Sequence, residues 1–339
     1  MLQRYDQRFL VHNPPPEPLS VREMDWVYGL PYQREAHPFY AQQGKIKALE
    51  TIRFSLTTHR GCYGECNFCA IAVHQGRIIQ DRSEESIVKE ATEMTGHAAF
   101  KGIILDVGGA TANMYGIECE LKLKRGPCPQ KRCLFPRICR QLPVNHLKQR
   151  QLLARLRGLQ GVRHVFVASG LRYDMILADK KEGGKYLRDL VRNHVSGQLK
   201  VAPEHSEERV LALMGKPGKD LLTRFRELFN RLSREEGKKQ FLTYYFIAAY
   251  PGCTDADMRH LREFVFRNLH LTPEQMQIFT PTPSTYATMM YCTGKDLDGR
   301  RIAIVKDAKK KERQKSIVLD KRPPKKGGRQ DTRKDRIVT

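Results

Sequence analysis

Three closely spaced cysteines, Cys62, Cys66 and Cys69, constrain this chain more than any other feature. They lie in the run Cys-Tyr-Gly-Glu-Cys-Asn-Phe-Cys, so three and then two residues separate them. A structural zinc ion takes four ligands, usually as two close pairs, whereas a four-iron cluster binds one thiolate per iron. Three thiolates therefore suit a [4Fe-4S] cluster that keeps one iron open for a further ligand. The open alternatives are three free thiols or a zinc site with a distant fourth ligand, and His59 and His74 flank the run.

Composition limits the class of protein. The chain has 339 residues, which suffices for one large domain with extensions. Nine cysteines without a recognisable signal sequence favour metal binding or catalysis over disulfides. No run of about 18 apolar residues exists, so we expect no membrane span and a cytoplasmic location.

The chain is strongly basic, with a formal net charge of +23. From Lys306 onward it carries 14 Lys or Arg and five Asp or Glu. Basic chains attract nucleic acid and anionic surfaces. The alternative is a solvated basic tail, and we predict that residues 301–339 are disordered.

Apolar stretches alternate with helical patterns through the middle of the chain. The spacing predicts six strands, at 52–58, 102–108, 162–168, 198–202, 241–249 and 274–279. Helices are predicted between them, at 83–94, 143–160, 183–195, from 206, 221–236 and 254–269. Six β–α units imply a parallel sheet with right-handed crossovers. We therefore divide the chain into a linker and lead-in segment (1–50), a core domain (51–300) and the basic tail (301–339).

Polar and glycine residues follow several predicted strands. Ligands of parallel α/β folds bind at the carboxyl ends of the strands. The second strand ends at Gly108 and Gly109, where backbone can approach a ligand closely. The third ends before Ser169 and Arg172, and the fourth before Glu204 and His205. The alternatives are a simple turn at the two glycines and ordinary polar residues of surface loops at the other positions.

The pattern resembles the radical S-adenosylmethionine (SAM) superfamily, and within it the YgiQ-type proteins. The stretches that carry this resemblance are 57–77, 108–115, 128–139 and 168–174. It implies an α/β fold in the form of a partial (β/α)6 TIM-like barrel. It further implies that Cys62, Cys66 and Cys69 hold a [4Fe-4S] cluster whose fourth iron chelates SAM. The cofactor-binding residues would be Gly108, Gly109, Ser169, Arg172 and Glu204, whereas no catalytic residue is identified.

The resemblance implies a radical SAM enzyme that reductively cleaves SAM and starts hydrogen abstraction from a substrate. An electron donor such as flavodoxin or ferredoxin would supply the electron. Relatives of this type carry a further N-terminal domain resembling a cobalamin-binding fold, which would be a partner of this chain. Two alternatives remain: a zinc-containing basic RNA-binding protein, or an inactive truncated remnant of a longer radical SAM protein.

A second group of cysteines lies in a predicted insertion, residues 113–142. Its four members, Cys119, Cys128, Cys133 and Cys139, have spacings unlike those of a common zinc finger. An auxiliary iron–sulfur cluster, a zinc ion, free thiols and labile disulfides all remain open for this group.

Overall fold

The buried apolar stretches form parallel strands connected by amphipathic helices. The structure is a computed structural model, and it describes residues 2–11, 13, 16–129, 132–271 and 273–322. The strands are β1 (Leu2–Tyr5), β2 (Arg8–Val11), β3 (Ser55–Thr57), β4 (His59–Arg60), β5 (Gln80–Asp81), β6 (Ile103–Ile104), β7 (Asp106–Gly108), β8 (His164–Val165), β9 (Gln198–Glu204), β10 (Phe241–Ala248) and β11 (Gln277–Ile278).

The helices fill most of the sequence between these strands. They are α1 (Val21–Tyr28), α2 (Lys47–Ile52), α3 (Ile71–His74), α4 (Glu84–Thr95), α5 (Glu120–Arg125), α6 (Leu147–Arg157), α7 (Tyr173–Ala178), α8 (Gly183–Asp189), α9 (Glu208–Met214), α10 (Lys219–Glu235), α11 (Asp255–Phe264), α12 (Tyr286–Thr293) and α13 (Ala308–Leu319). A 3-10 helix spans Pro38–Gln43, and π-helical turns at Leu190–His194 and Val265–Leu269 extend α8 and α11. Within the described residues, no helix is both long enough and apolar enough to cross a bilayer.

Six parallel strand segments follow one another in space in the order of the chain. β3 pairs with β7, and β6, which lies just before β7 in the sequence, pairs with β8. A bridge between Leu171 and Val201 joins the third segment to β9. β9 pairs with β10, and β10 pairs with β11. The predicted α/β class with parallel strands is confirmed, while no sheet in the described part of the chain closes into a barrel.

The main hydrophobic core lies between these strands and their helices. It includes the buried strand residues Leu56, Ile104, Val165 and Val201 together with apolar residues of α4, α6, α8 and α10. Burying one such aliphatic side chain contributes roughly 1.5–3 kcal/mol. The core therefore fixes the strands firmly and leaves their carboxyl-end loops to build a site.

The predicted helix starts are confirmed at two caps. The Ser83 hydroxyl accepts a hydrogen bond from the backbone N–H of Ser86, as expected for the first turn of α4. At α11, Thr254 and Asp257 form a reciprocal capping box. These caps satisfy backbone N–H groups that have no partner within the helix.

The lead-in segment is attached to the core through α1. Met24 is buried, and the Asp25 carboxylate accepts a hydrogen bond from the Ser83 N–H at 2.9 Å. The buried Arg82 guanidinium stacks 4.3 Å from the ring centre of Tyr28. One face of α1 is therefore held in place against the core.

The C-terminal segment differs from its prediction as a wholly disordered tail. Residues Ala308–Leu319 form α13, which Asp307 caps at its start. Gln314 and Val318, four residues apart on the same helix face, are both buried. The abundant lysines of this segment obscure that narrow buried stripe in the sequence. Residues 323–339 lie outside the described residues.

Candidate functional site

The cysteine run forms a loop whose base is closed by a short antiparallel pair. In this pair His59 of β4 lies opposite Asp81 of β5, and Arg60 lies opposite Gln80. Gly61 follows directly with φ +90°, and a β carbon there would lie 2.1 Å from the Ile78 carbonyl oxygen. Only glycine fits this close crossing of the two loop ends.

Asn67 connects the loop to the end of α9. Its backbone N–H donates to the Met214 carbonyl at 2.9 Å, and its side-chain amide donates to the Leu213 carbonyl at 2.7 Å. These bonds to a distant part of the chain fix the middle of the loop, between the second and third cysteines.

The three cysteines of the loop line one cavity of about 140 Å³. Its other walls come from the carboxyl ends of the parallel strands and from the loops that follow them: Ala110, Thr111, Gly170, Leu171, Arg172, Ala202, Glu204 and Lys216. Gly64 lies between the thiols, because a β carbon on it would be 3.2 Å from Cys62 Sγ and 3.6 Å from Cys66 Sγ. The structure therefore brings together the three cysteines and two predicted SAM contacts, Arg172 and Glu204.

The cavity disfavours bare thiolates. Burial raises the pKa of the Cys62 thiol, and it raises the pKa of Cys69 to about 11. A thiolate in such surroundings needs a positive partner, which a metal centre provides when it replaces the thiol proton. The donor set of three converging thiols thus fits an iron–sulfur cluster.

Arg172 supplies positive charge beside this loop. Its Nη1 atom lies 3.7 Å from Cys66 Sγ, and its Nε and Nη2 atoms donate to the Asp174 carboxylate at 2.8 and 2.6 Å. Burial alone would raise the pKa of Asp174, but the adjacent guanidinium holds it below its usual range. Asn113 holds the Arg172 backbone by accepting from its N–H at 2.8 Å and donating to its carbonyl at 3.0 Å.

Glu204 and Lys216 form a second charged pair in the cavity wall. Lys216 Nζ lies 3.7 Å from Glu204 Oε1, and both side chains are buried. Burial raises the pKa of the Glu204 carboxyl, and Lys216 opposes that rise. Glu204 has φ +69°, a backbone conformation that non-glycine residues rarely adopt and that costs free energy. The fold thus holds this carboxylate at the strand end despite local strain.

The remaining predicted contacts lie in a neighbouring cavity of about 280 Å³. Gly108, Gly109 and Ser169 line it, and Ala110 borders both cavities. The Ser169 hydroxyl is engaged by Asp106, whose carboxylate also accepts from the backbone N–H groups of Ala168 and Ser169. These three predicted residues therefore lie beside the cysteine cavity and not in its wall.

His205 lies outside the lining of both cavities. It is fully buried, its Nδ1 accepts from the Glu207 N–H at 3.0 Å, and its Nε2 lies 3.5 Å from Cys253 Sγ. Burial lowers the pKa of its imidazole to about 4. His205 therefore serves the packing behind the site.

The second cysteine group packs against the cysteine loop. Cys119 and Cys133 are buried with Tyr63 in a small hydrophobic cluster. Cys139 donates its backbone N–H to the Cys133 carbonyl at 2.7 Å, and the Cys128 carbonyl accepts from Arg77 at 2.8 Å. A second metal site in this group stays one of the alternatives that the sequence leaves open.

The arrangement of ligand side chains bears on the zinc alternative. Across the described ranges, no group of three or more His, Cys, Asp or Glu side chains is gathered so that it could hold a metal ion. A four-iron cluster places each thiolate on its own iron, so its ligands stand further apart than those of one ion.

Several site residues were missed by sequence reasoning. Thr111 Oγ1 lies 3.5 Å from Cys62 Sγ, and Asp174 and Lys216 pair with the two predicted residues of the wall. Thr111 directly follows the glycine pair and Ala110, so its place after a strand was the available signal. Asp174 lies only two residues after Arg172, so its closeness was visible in the sequence, whereas the pairing of Lys216 with Glu204 depends on the tertiary fold.

Comparison with known proteins found one family model and several similar proteins. The family model described as Radical SAM N-terminal matches residues 1–55. UPF0313 protein FN0734 of Fusobacterium nucleatum is 52% identical over 323 residues, which is 95% of this chain and 57% of that protein. The UPF0313 protein of Methanosarcina mazei is 46% identical, covering 95% of this chain and 51% of that protein.

The chain is similar to UPF0313 proteins over about 95% of its own length, and its first 55 residues match a radical SAM family model. The predicted resemblance to radical SAM proteins is thereby confirmed. The UPF0313 protein of Thermotoga maritima is 44% identical and is covered over 56% of its length. The chain spans about half the length of these relatives.

Two solved structures of radical SAM enzymes are similar to this chain at low identity. The methyltransferase TsrM from Kitasatospora setae, with cobalamin and a [4Fe-4S] cluster bound, has a TM-score of 0.46 and 17% identity over 73% of this chain and 41% of that one. The cobalamin-dependent enzyme OxsB has a TM-score of 0.42 and 16% identity over 69% of this chain and 29% of that one.

Proposed function

We propose that this chain is the cluster-binding part of a radical SAM enzyme. Cys62, Cys66 and Cys69 hold a [4Fe-4S] cluster, and SAM occupies the adjoining cavities. The observation that carries this proposal is that all three cysteines line one cavity at the carboxyl ends of parallel strands. We further propose that the six strand segments form a partial (β/α)6 barrel around the site.

A cluster held by Cys62, Cys66 and Cys69 would, once reduced, supply the electron for reductive cleavage of SAM, which would start hydrogen abstraction from a substrate. The residues of the chain provide position, charge and exclusion of water. Arg172 places a fixed positive charge beside Cys66, and this charge opposes the rise that burial causes in the pKa of the Cys62 thiol. Asp174 and Asn113 hold Arg172 in that position.

The other charged pair suits the zwitterionic end of SAM. Lys216 presents an ammonium group and Glu204 a carboxylate in the same wall, so the pair offers complementary partners to a carboxylate and an amine. Gly108 and Gly109 leave room for close backbone approach from the neighbouring cavity. Ser169 is placed there by Asp106. Phe68, Ile71 and Leu171 give the cysteine cavity an apolar lining that limits water.

Partners follow from this chemistry. A low-potential electron donor such as flavodoxin or ferredoxin would reduce the protein. A cobalamin-type N-terminal domain is proposed as a second partner, since the relatives extend well beyond the matched length. An oxygen-sensitive centre suits a reducing compartment, and we propose a cytoplasmic location.

The test is anaerobic reconstitution of the full chain with iron and sulfide. We expect about four iron and four acid-labile sulfide per chain, and formation of 5′-deoxyadenosine after dithionite and SAM are added. Cys62→Ala, Cys66→Ala and Cys69→Ala should each lose the cluster and the cleavage together. Cys292→Ala is the matched control, because Cys292 is exposed and outside both cavity linings.

Other results would support one of the alternatives or refute the ligand assignment. A colourless protein with stoichiometric zinc would support the zinc-containing RNA-binding alternative. A chain that binds the cluster but never cleaves SAM, even with the partner domain supplied, would support an inactive remnant. Retention of cluster and cleavage by Cys66→Ala would refute the ligand assignment.

A further inference from the structure

Exposed apolar side chains are concentrated at the start of the chain. Of the 24 large hydrophobic residues that are exposed in the described part of the chain, 14 lie between Leu2 and Ile52. Among them are Phe9 (64% exposed), Trp26 (68%) and Phe39 (66%). Single exposed apolar residues are ordinary, but such a concentration marks an interaction surface. We call residues 2–52 the lead-in surface.

The hairpin of β1 and β2 shows why this surface needs a cover. All eight of its strand residues are exposed, including Leu2, Tyr5, Phe9, Leu10 and Val11. Its only cross-strand pairing in the described residues is antiparallel and internal to the hairpin. An isolated two-stranded hairpin is marginally stable in water. Both of its faces are therefore available to a partner that would stabilise it.

Helix α1 presents its share of the surface in a fixed position. Met24 and Asp25 attach one face of the helix to the core, while Trp26 on the opposite face is 68% exposed. Ser20 and Glu23 cap its start reciprocally. Trp26 is thus presented by a held helix, and it is also the single tryptophan of the chain.

The charge of this segment sets it apart from the rest of the molecule. Residues 1–55 contain seven Lys or Arg and six Asp or Glu, whereas the whole chain has a formal net charge of +23. A nearly neutral, apolar and aromatic surface fits a protein partner and not a polyanion. A second copy of so basic a chain would be repelled electrostatically.

We propose that the lead-in surface is the docking face for a polypeptide equivalent to the part of the UPF0313 relatives that this chain does not span. Two findings select this occupant. The chain covers only 57% and 51% of two relatives, so a large part of each lies outside the matched region. The family model described as Radical SAM N-terminal matches residues 1–55, which is the segment with the exposed apolar residues. The inference rests on the proposed partner domain but not on the cluster.

The test uses the full chain labelled with 5-fluorotryptophan at Trp26. The probe is the unmatched part of UPF0313 protein FN0734, co-produced with the labelled chain. Docking should shift the fluorine resonance of Trp26 and slow amide exchange in residues 2–11. The double variant Phe9→Ser/Leu10→Ser should weaken the complex at least about tenfold, since two apolar side chains lose their burial. Leu297→Ser, at a residue that is 48% exposed elsewhere, is the matched control and should bind normally.

Measurements on the chain without the probe also test the proposal, and they do not require that the probe folds. Without a partner, amide exchange in residues 2–11 should be fast, and Phe9→Ser/Leu10→Ser should unfold at the same temperature as the parent. Slow exchange, or a clear loss of stability, would show that this chain already covers the surface and would overturn the proposal. Self-association of the chain that is abolished in the double variant would also overturn the proposal. Cluster assembly is measured separately and should be unchanged in the double variant, so failure of docking and failure of the proposed chemistry are distinguishable.

Discussion

Gly109 lies directly against His59, because a β carbon on Gly109 would fall 2.7 Å from the Cε1, Nε2 and carbonyl oxygen atoms of His59. His59 is 1% exposed, and its Nδ1 is hydrogen-bonded to the Thr58 hydroxyl at 2.8 Å. Burial lowers the pKa of its imidazole to about 4, so the ring is neutral at physiological pH. The glycine pair at the end of β7 thus packs against His59, which lies in the antiparallel pair at the base of the cysteine loop.

Gly109→Ala should therefore destabilise the protein by about 1–3 kcal/mol, because neither the ring nor the carbonyl of His59 can retreat freely. The free energy of unfolding in urea measures this loss. Gly170→Ala is the control, since a β carbon on Gly170 meets no atom within 4 Å. Equal stability of the two variants would contradict the close contact.

Asp174 is the counter-ion of a buried guanidinium. Asp174→Asn keeps the shape of the side chain but leaves Arg172 without its carboxylate, so we expect a loss of about 3–5 kcal/mol in unfolding free energy. The control is Glu120→Gln, which breaks an exposed pair with Lys124 and should cost less than about 1 kcal/mol. A small effect at Asp174 would show that Arg172 does not depend on this partner.

Asp81 should make stability depend on pH near neutrality. Burial raises the pKa of its carboxyl from 3.8 to about 7, although the Gly116 N–H donates to Oδ2 at 2.9 Å. The folded protein thus binds this proton more tightly than the unfolded chain. The stabilisation is complete below about pH 4 and is lost as pH rises towards 7, with a slope of up to about 1.4 kcal/mol per pH unit.

Asp81→Asn should remove that slope and raise stability at pH 8, since the amide stays neutral and still accepts from Gly116. The slope of the unfolding free energy with pH is measured by urea unfolding at several pH values between 4 and 8. Glu118→Gln, at a half-exposed neighbour, should keep the slope of the parent. A parent protein whose stability does not fall over this range would refute the raised pKa.

The sequence predicted much of the fold because local signals agree with the tertiary structure. Ser83 caps α4 as its position before an acidic turn indicated, and the apolar stretch at 198–202 became β9. The strands predicted at 52–58 and 162–168 are shorter in the structure, where they span Ser55–Thr57 and His164–Val165. Strand length depends on how many hydrogen bonds the neighbouring strand can complete, which one stretch of sequence does not contain.

The candidate site was predictable to the extent that parallel strands end at one edge. This rule placed Arg172 and Glu204 beside the cysteines. It did not show that the Ser169 hydroxyl would donate a hydrogen bond to Asp106, which lies 63 residues earlier in the chain. Nor did it show that His205 would turn inward onto Cys253. Adjacent residues at a strand end point in different directions, and only the tertiary contacts decide which of them lines the cavity.

Gln314 connects α13 to the turn after β10. Its Oε1 accepts from the Ala249 N–H at 3.0 Å, and its Nε2 donates to the Cys253 carbonyl at 3.3 Å. Ala249 has φ +56°, so this turn is strained and needs outside support. Tyr250 in the same turn packs edge-on against Phe68, which lies next to Cys69 in the cysteine loop.

Removal of α13 should therefore destabilise the protein. Deleting residues 306–339 should lower the unfolding free energy by several kcal/mol, on the order of two buried side-chain contacts. Gln314→Ala alone should cost about 1–3 kcal/mol, because it leaves buried backbone groups without partners. Glu312→Ala on the exposed side of α13 is the control and should cost less than about 1 kcal/mol. If removal of 306–339 has no effect on urea unfolding, α13 is not part of the fold and the basic segment is a free tail from its start.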